Sequence, residues 1–151
     1  MLSSPDFKEL LNLFNGYNVR YLIVGGYAVM KYTEPRFTKD LDIWIATDEE
    51  NAKNVYSALK EFGAPLTNLT YHDFMSEDYF YQMGRAPFRL DIVMSITGVS
   101  FETAWKNKIV VQLQDMKIPF ISKEDLIKNK EALGRPQDMI DVENLKKSIY
   151  K

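Results

Sequence analysis

Two aspartates at alternate positions, Asp40 and Asp42, stand in the run from Arg36 to Ile45, about a dozen residues after a glycine pair, Gly25 and Gly26. If that run is extended, a strand's period of two sends Asp40 and Asp42 to one face and Leu41, Ile43 and Ile45 to the other, into a core. Two carboxylates on one face repel each other, and one must protonate unless a cation sits between them. A divalent ion with hard oxygen ligands is the simplest such cation, and Mg²⁺ is its usual identity beside phosphates. The competing reading is an exposed edge strand that carries charges to block pairing. The apolar flanks, Tyr21 to Val24 and Leu41 to Ile45, read instead as interior strands.

The glycine pair lies where the apolar run Tyr21 to Val24 gives way to a helical run, Tyr27 to Tyr32. A turn without side chains lets a ligand approach the backbone, and the helix start offers free N–H groups and a positive dipole end to an anion. Alone, Gly25 and Gly26 are equally an ordinary turn. Their pairing with Asp40 and Asp42 gives them a phosphate-binding reading.

These residues need elements to hold them. Ser4 and Pro5 look like a helix start, followed by Phe7, Leu10, Leu11 and Phe14 at helical spacing up to about Gly16. Arg20 to Val24 and Asp40 to Ala46 read as strands. Thr47 with Glu50 predicts a capping box for a helix whose stripe is Ala52, Val55, Tyr56, Leu59 and Phe62, closed by Gly63 and Pro65. Leu66 to Asp78 has no period and reads as a loop. Tyr79 to Met83 and Phe88 to Met94 read as two strands around a hairpin signal, Gly84 to Pro87. In the second, Arg89, Asp91 and Val93 share a face, so Asp91 joins Asp40 and Asp42 if the strands are neighbours in phase. Ile109 to Leu113 and Lys117 to Ile121 read as short strands, and two helices follow, Lys123 to Leu133 and Pro136 to Tyr150. Ser122 with Asp125 predicts a second capping box.

With Gly25-Gly26, Asp40-Leu41-Asp42 and Leu90-Asp91-Ile92 in place, the chain resembles the DNA polymerase beta-like nucleotidyltransferase superfamily, in particular its small stand-alone prokaryotic members. The run Arg36 to Asp42 and the tail Lys123 to Asp138 carry the likeness over most of the chain. Many catalytic members place Ser after the first glycine; here Gly26 stands there. The resemblance implies an α+β fold, a mixed β-sheet with helices packed on one side and a C-terminal helical pair, as a single domain over residues 1–151. It implies a nucleotidyltransferase that moves a nucleoside monophosphate from a nucleoside triphosphate to an acceptor hydroxyl of a small molecule, protein or RNA end, with two Mg²⁺ ions. Asp40, Asp42 and Asp91 would be both metal ligands and catalytic residues. Gly25, Gly26, Arg36, Thr38 and Lys130 would contact the triphosphate, Arg36 and Thr38 keeping the parity of the aspartates. The alternative is a weak or inactive relative that serves as a binding partner, such as an antitoxin. A metal-dependent phosphodiesterase has no histidine-rich ligand set to support it here.

Other residues carry two readings. Lys130 falls on the apolar face of its helix, either snorkelling past the core or aimed at an anion, and the resemblance favours a phosphate. Arg135, Asp138 and Asp141 read as intra-helix ion pairs on a solvated face in preference to catalytic residues. His72 reads as a surface residue, and Tyr71, Phe74, Tyr79, Phe80 and Tyr81 as packing rather than a base-stacking platform.

Composition sets bounds. The chain of 151 residues is long enough to bury a core, and its net charge of −2 does not by itself call for a nucleic-acid partner, although a basic patch near Arg36 and Lys39 remains open. With no cysteine and one histidine, disulfides, thiolate zinc and histidine clusters are excluded. No apolar run approaches a membrane span and the N-terminus lacks a signal-peptide pattern, so the expected location is cytoplasmic.

Overall fold

The computed structural model describes residues 4–85 and 88–149. Ser4 caps helix α1 (Pro5–Gly16), its hydroxyl accepting the Phe7 N–H, and Pro5 fills the first turn, where no N–H is needed. Strand β1 (Tyr21–Val24) runs directly into helix α2 (Gly25–Tyr32). The glycines are thus the first turn of the helix itself, not a separate turn. Strand β2 (Leu41–Ile45) starts one residue later than its pattern predicts, which leaves Asp40 just ahead of it. Helix α3 (Glu49–Phe62) is capped by Asp48, whose carboxylate accepts the Asn51 N–H, in place of the predicted Thr47–Glu50 box; it closes at Gly63, with φ +91°. That phase turns Asn51 inward. Its amide accepts the Arg20 N–H at 2.7 Å and donates to the carbonyls of Arg20 (3.1 Å) and Ala46 (2.8 Å), tying α3 to the ends of β1 and β2.

The aperiodic stretch after α3 is not all loop. Thr70 and Asp73 form a reciprocal capping box on a 3₁₀ turn (Tyr71–Met75) that buries Phe74. Strands β3 (Phe80–Arg85) and β4 (Phe88–Val93) form a hairpin tighter than predicted, with Arg85 paired to Phe88; Ala86 and Pro87, part of its expected turn, lie outside the described residues. A helix that the sequence pattern did not announce, α4 (Phe101–Asn107), follows a Ser100 cap. Strands β5 (Ile109–Leu113) and β6 (Met116–Phe120) turn through Gln114 at φ +56°. Helix α5 (Lys123–Leu133) has the predicted bounds, with Ser122 accepting the Asp125 N–H, while α6 (Pro136–Lys147) stops short of its predicted end at Tyr150, itself outside the described residues.

The strands make one mixed sheet in the order β3-β4-β2-β1-β6-β5, with β2 parallel to β4, β1 parallel to β6, and antiparallel pairs elsewhere. With the C-terminal helical pair this is an α+β fold. On one face Leu41, Ile43, Leu90 and Ile92 are fully buried, each contributing roughly 1.5–3 kcal/mol of apolar transfer energy. That packing fixes the phase of β2 and β4, because a one-residue slip would turn this set out and the aspartates in. On the other face Trp44 is 1% exposed and meets the ring of Phe101 in α4 edge-on, at 5.1 Å between centroids. Among the described residues no helix is long and apolar enough to cross a membrane.

Candidate functional site

One row of registered residues crosses four strands: Val24 lies opposite Asp42, Asp42 beside Asp91, and Asp91 opposite Gln82. Directly paired residues point to the same side of a sheet, so Asp42 and Asp91 emerge together. Asp40, just ahead of β2, adds a third carboxylate. Oxygens from Asp40, Asp42 and Asp91 all lie within 4.8 Å of one another. The site therefore rests on the parallel β2–β4 pair, with phase set by the buried residues behind it.

The electrostatics of this cluster are strained. Burial, then the nearby Asp91 and Asp40, push the Asp42 carboxyl up to about 7, while Lys130 pulls it partly back. Asp91 is raised too, by burial and by Asp40, against the opposing hydrogen bond from Gln82 and the charge of Arg89. Arg89 Nε stands 3.5 Å from Asp40 Oδ1. Even so, one buried oxygen of Asp40 and one of Asp91 have no hydrogen-bond partner. Buried carboxylate oxygens left without donors suit a hard divalent cation, and the donor set, all oxygen, is the kind that Mg²⁺ takes.

A Cβ would crowd the neighbours of both Gly25 and Gly26, and at Gly25 the conformation calls for glycine as well. Gly25 has φ +68°, and a Cβ there would stand 2.1 Å from Asp42 Oδ2; a Cβ on Gly26 would stand 2.5 Å from Thr38 Oγ1. The start of α2 is thus pressed against the aspartate strand, and no side chain fits between them. Gly25, Gly26, Asp42, Ser95, Thr97 and Lys130 contribute to the wall of one cavity of about 340 Å³.

Arg36 and Thr38 do not line this cavity but stand beside it. Thr38 packs on Gly26, and the Arg36 guanidinium pairs with Asp141 and lines a neighbouring cavity between α2 and α6. The reading of Arg135, Asp138 and Asp141 as a solvated face is corrected. Arg135 does pair with Asp138 within the helix, at 2.6 Å, but Asp138 and Asp141 are each 1% exposed. They are buried because α6 packs on α5 and meets Lys130, whose Nζ lies 3.3 Å from Asp138 Oδ1 and 3.2 Å from Asp141 Oδ2. His72, at the 3₁₀ turn, stacks on Tyr71 far along the chain from these groups. The sequence pattern had also left Gln82 and Arg89 without a role, although Arg89 shares the parity of Asp91.

A family model described as "Nucleotidyltransferase of unknown function (DUF6036)" matches residues 6–149. No curated protein sequence matches the chain. Among solved structures, the fold is similar to that of LnuA, a lincosamide antibiotic adenylyltransferase with lincomycin bound, at 20% identity and a TM-score of 0.55 over 95% of this chain and 96% of that one. It is similar to an antigenic nucleotidyltransferase-like protein from Paracoccidioides brasiliensis, at 16% identity and a TM-score of 0.55 over 90% of this chain and 71% of that one. A third similar structure is TM1012 of Thermotoga maritima, described as a candidate nucleotidyltransferase, at 18% identity and a TM-score of 0.57 over 93% of this chain and 88% of that one. At these identities the structural matches speak for the fold.

Proposed function

The chain belongs to the DUF6036 family of nucleotidyltransferases, and from that premise we propose that it moves a nucleoside monophosphate from a nucleoside triphosphate to an acceptor hydroxyl at the Asp40–Asp42–Asp91 cluster. The observation that carries this reading is the convergence of three carboxylates, with oxygens within 4.8 Å of one another, beside a glycine-walled cavity. Two Mg²⁺ ions are the cofactors it calls for, and Asp40, Asp42 and Asp91 are the residues that would hold them, Asp91 completing the site on the acceptor side. When bound, such ions neutralise the carboxylates and act as Lewis acids on the phosphoryl oxygens.

The residues of the chain divide the remaining work. Gly25 and Gly26 let the triphosphate approach the start of α2, whose N–H groups and dipole favour an anion. Lys130 supplies positive charge from the wall of the same cavity. Thr38 holds Gly26 and thereby the start of the helix, while Arg36 adds charge from behind it. The acceptor oxygen attacks the α-phosphorus, the bond from that phosphorus to the bridging oxygen of the β-phosphate breaks, and pyrophosphate leaves with the electron pair. The acceptor proton passes to the carboxylate of Asp91, the aspartate assigned to the acceptor side of the cluster. Gln82, paired with Asp91 across the β3–β4 register, stands beside that carboxylate and helps to orient it.

The test is incubation with each of four α-labelled triphosphates, Mg²⁺ and, in turn, a small-molecule, a protein and an RNA fraction of a cell extract. One fraction should take up label with equivalent release of pyrophosphate, and Asp91→Asn should abolish it. Absence of transfer from any triphosphate to any fraction, together with no binding of the Mg²⁺ complex of α,β-methylene-ATP, would overturn the reading.

A further inference from the structure

Five charged groups meet where α5, α6 and the segment before β2 join. Lys130 Nζ lies 3.3 Å from Asp138 and 3.2 Å from Asp141, Arg135 Nε lies 2.6 Å from Asp138, and Arg36 pairs with Asp141. Three cations share two buried carboxylates, so the cluster carries an excess positive charge. Burying two carboxylates is costly, and the three cations around them offset that cost. Lys130 is 7% exposed, yet it contributes to the wall of the cavity that Asp42 and the glycines share.

The hydrogen bonding shows how Lys130 is held. Its ammonium has three N–H donors. One is directed to Asp138 Oδ1, whereas Asp141 Oδ2, although close, is out of line for a hydrogen bond and is left without a partner. Asp141 thus attracts the ammonium by charge without consuming a donor. Its other oxygen, Oδ1, accepts from Arg36 and from Gln137, at 3.0 Å in the latter case. Arg36 in turn lies over Gly26, its Nη2 being 3.7 Å from where a Cβ would stand. A continuous set of contacts therefore runs from Gly26 through Arg36 and Asp141 to Lys130.

We propose that Asp138 and Asp141 are positioning residues, holding the Lys130 ammonium so that an uncommitted N–H faces the phosphates of a nucleoside triphosphate beside Asp42, with Arg36 kept against the start of α2. This rests on the reading of that cavity as the triphosphate site. Neither aspartate touches the nucleotide. Each acts through the cation it holds, and the roles are separable by sign. Removing a negative charge near an anion site strengthens anion binding if only long-range charge matters. If positioning matters more, Asp141→Asn weakens binding although it makes the site more positive.

The experiment is calorimetric titration of the full chain with the Mg²⁺ complex of α,β-methylene-ATP, at a temperature well below the melting point of each variant. Asp141→Asn and Asp138→Asn should each weaken binding about tenfold or more, while Glu143→Gln, on the outer face of α6, should leave it unchanged. Unchanged or tighter binding in the two aspartate variants would overturn the positioning role. If the wild type itself does not bind the complex, the triphosphate reading fails first, and the two failures are distinct. A measurement on the wild type guards against variants that do not fold. One lysine ammonium should exchange its protons slowly by ¹⁵N NMR and shift on addition of the complex. Absence of a slowly exchanging ammonium, or one that does not shift, would equally refute the inference.

Discussion

Asp42→Asn should make the metal-free protein more stable above neutral pH, and by an amount that depends on pH in a defined sense. Asp42 has its carboxyl pushed from 3.8 up to about 7, chiefly by burial and by its two acidic neighbours. A group whose proton affinity rises on folding contributes stability that is complete below its unfolded pKa and disappears as pH passes its folded value. For Asp42 that window runs from about pH 4 to about pH 7. Each tenfold gain in proton affinity is worth about 1.4 kcal/mol, so the full cost of ionised Asp42 has a ceiling of about 4 kcal/mol. The side chain opens on a cavity and water screens it, which brings the expected effect to about 2 kcal/mol at pH 8. In a domain of this size that is a rise of about 4–8 °C in melting temperature. Urea denaturation with a chelator present, at pH 4 and pH 8, measures it. The variant and wild type should be nearly equal at pH 4 and separate at pH 8. An advantage that is absent at pH 8, or equal at both pH values, would refute the account of strain at the cluster.

Three further perturbations follow from the packing. Gly25→Ala places a methyl 2.1 Å from Asp42 Oδ2 on a backbone at φ +68°, so it should cost about 1–2 kcal/mol in conformation alone, lower the melting temperature, and eliminate pyrophosphate release by displacing the carboxylate. Gly26→Ala, on a backbone that any residue can adopt, crowds the Thr38 side chain, whose Oγ1 and Cβ would stand 2.5 and 3.0 Å from the methyl, rather than a metal-binding carboxylate, and should retain more activity in the same assay. Asn51→Ala removes three hydrogen bonds that join α3 to β1 and β2, leaves the Arg20 N–H without its partner, and should cost about 2–4 kcal/mol in urea denaturation without altering Mg²⁺-nucleotide affinity.

The part of the site that was legible in the sequence is the part set by local periodicity. Asp40 and Asp42 alternate with residues that must be buried, so parity assigned them one face, whereas Asp91 joins them only through the β2–β4 register. Lys130 could be placed by helical spacing, because α5 is long enough to show a stripe. What stayed hidden depends on partners distant in sequence or on elements too short to show a period. Asp138 and Asp141 look like ordinary surface acids on α6 until Lys130 and Arg36 are brought to them. Helix α4 is two turns long and rich in aromatic residues, Phe101 and Trp105, which fit a strand or a loop equally well. Thr47 and Asp48 are both good cap residues, so local sequence left the start of α3 open by one residue, and the phase that caps with Asp48 is the one in which Asn51 reaches Arg20. Gln82 acquires its place only through the β3–β4 register.

The position of β6 bears on how the protein comes to be built. β1, which leads into the glycines, has β2 on one side and on the other β6, joined in parallel through Ile23 and Phe120. Such a pairing closes a loop of nearly a hundred residues before it is rewarded, which slows folding relative to the local hairpins β3–β4 and β5–β6. During synthesis the three aspartates leave the ribosome well before β6, α5 and the buried acids of α6. A nascent chain therefore presents its carboxylates without the cationic wall beside them, in a sheet whose β1 edge is still bare. Until the late C-terminal segments arrive, that edge is the place where two unfinished chains would pair with each other.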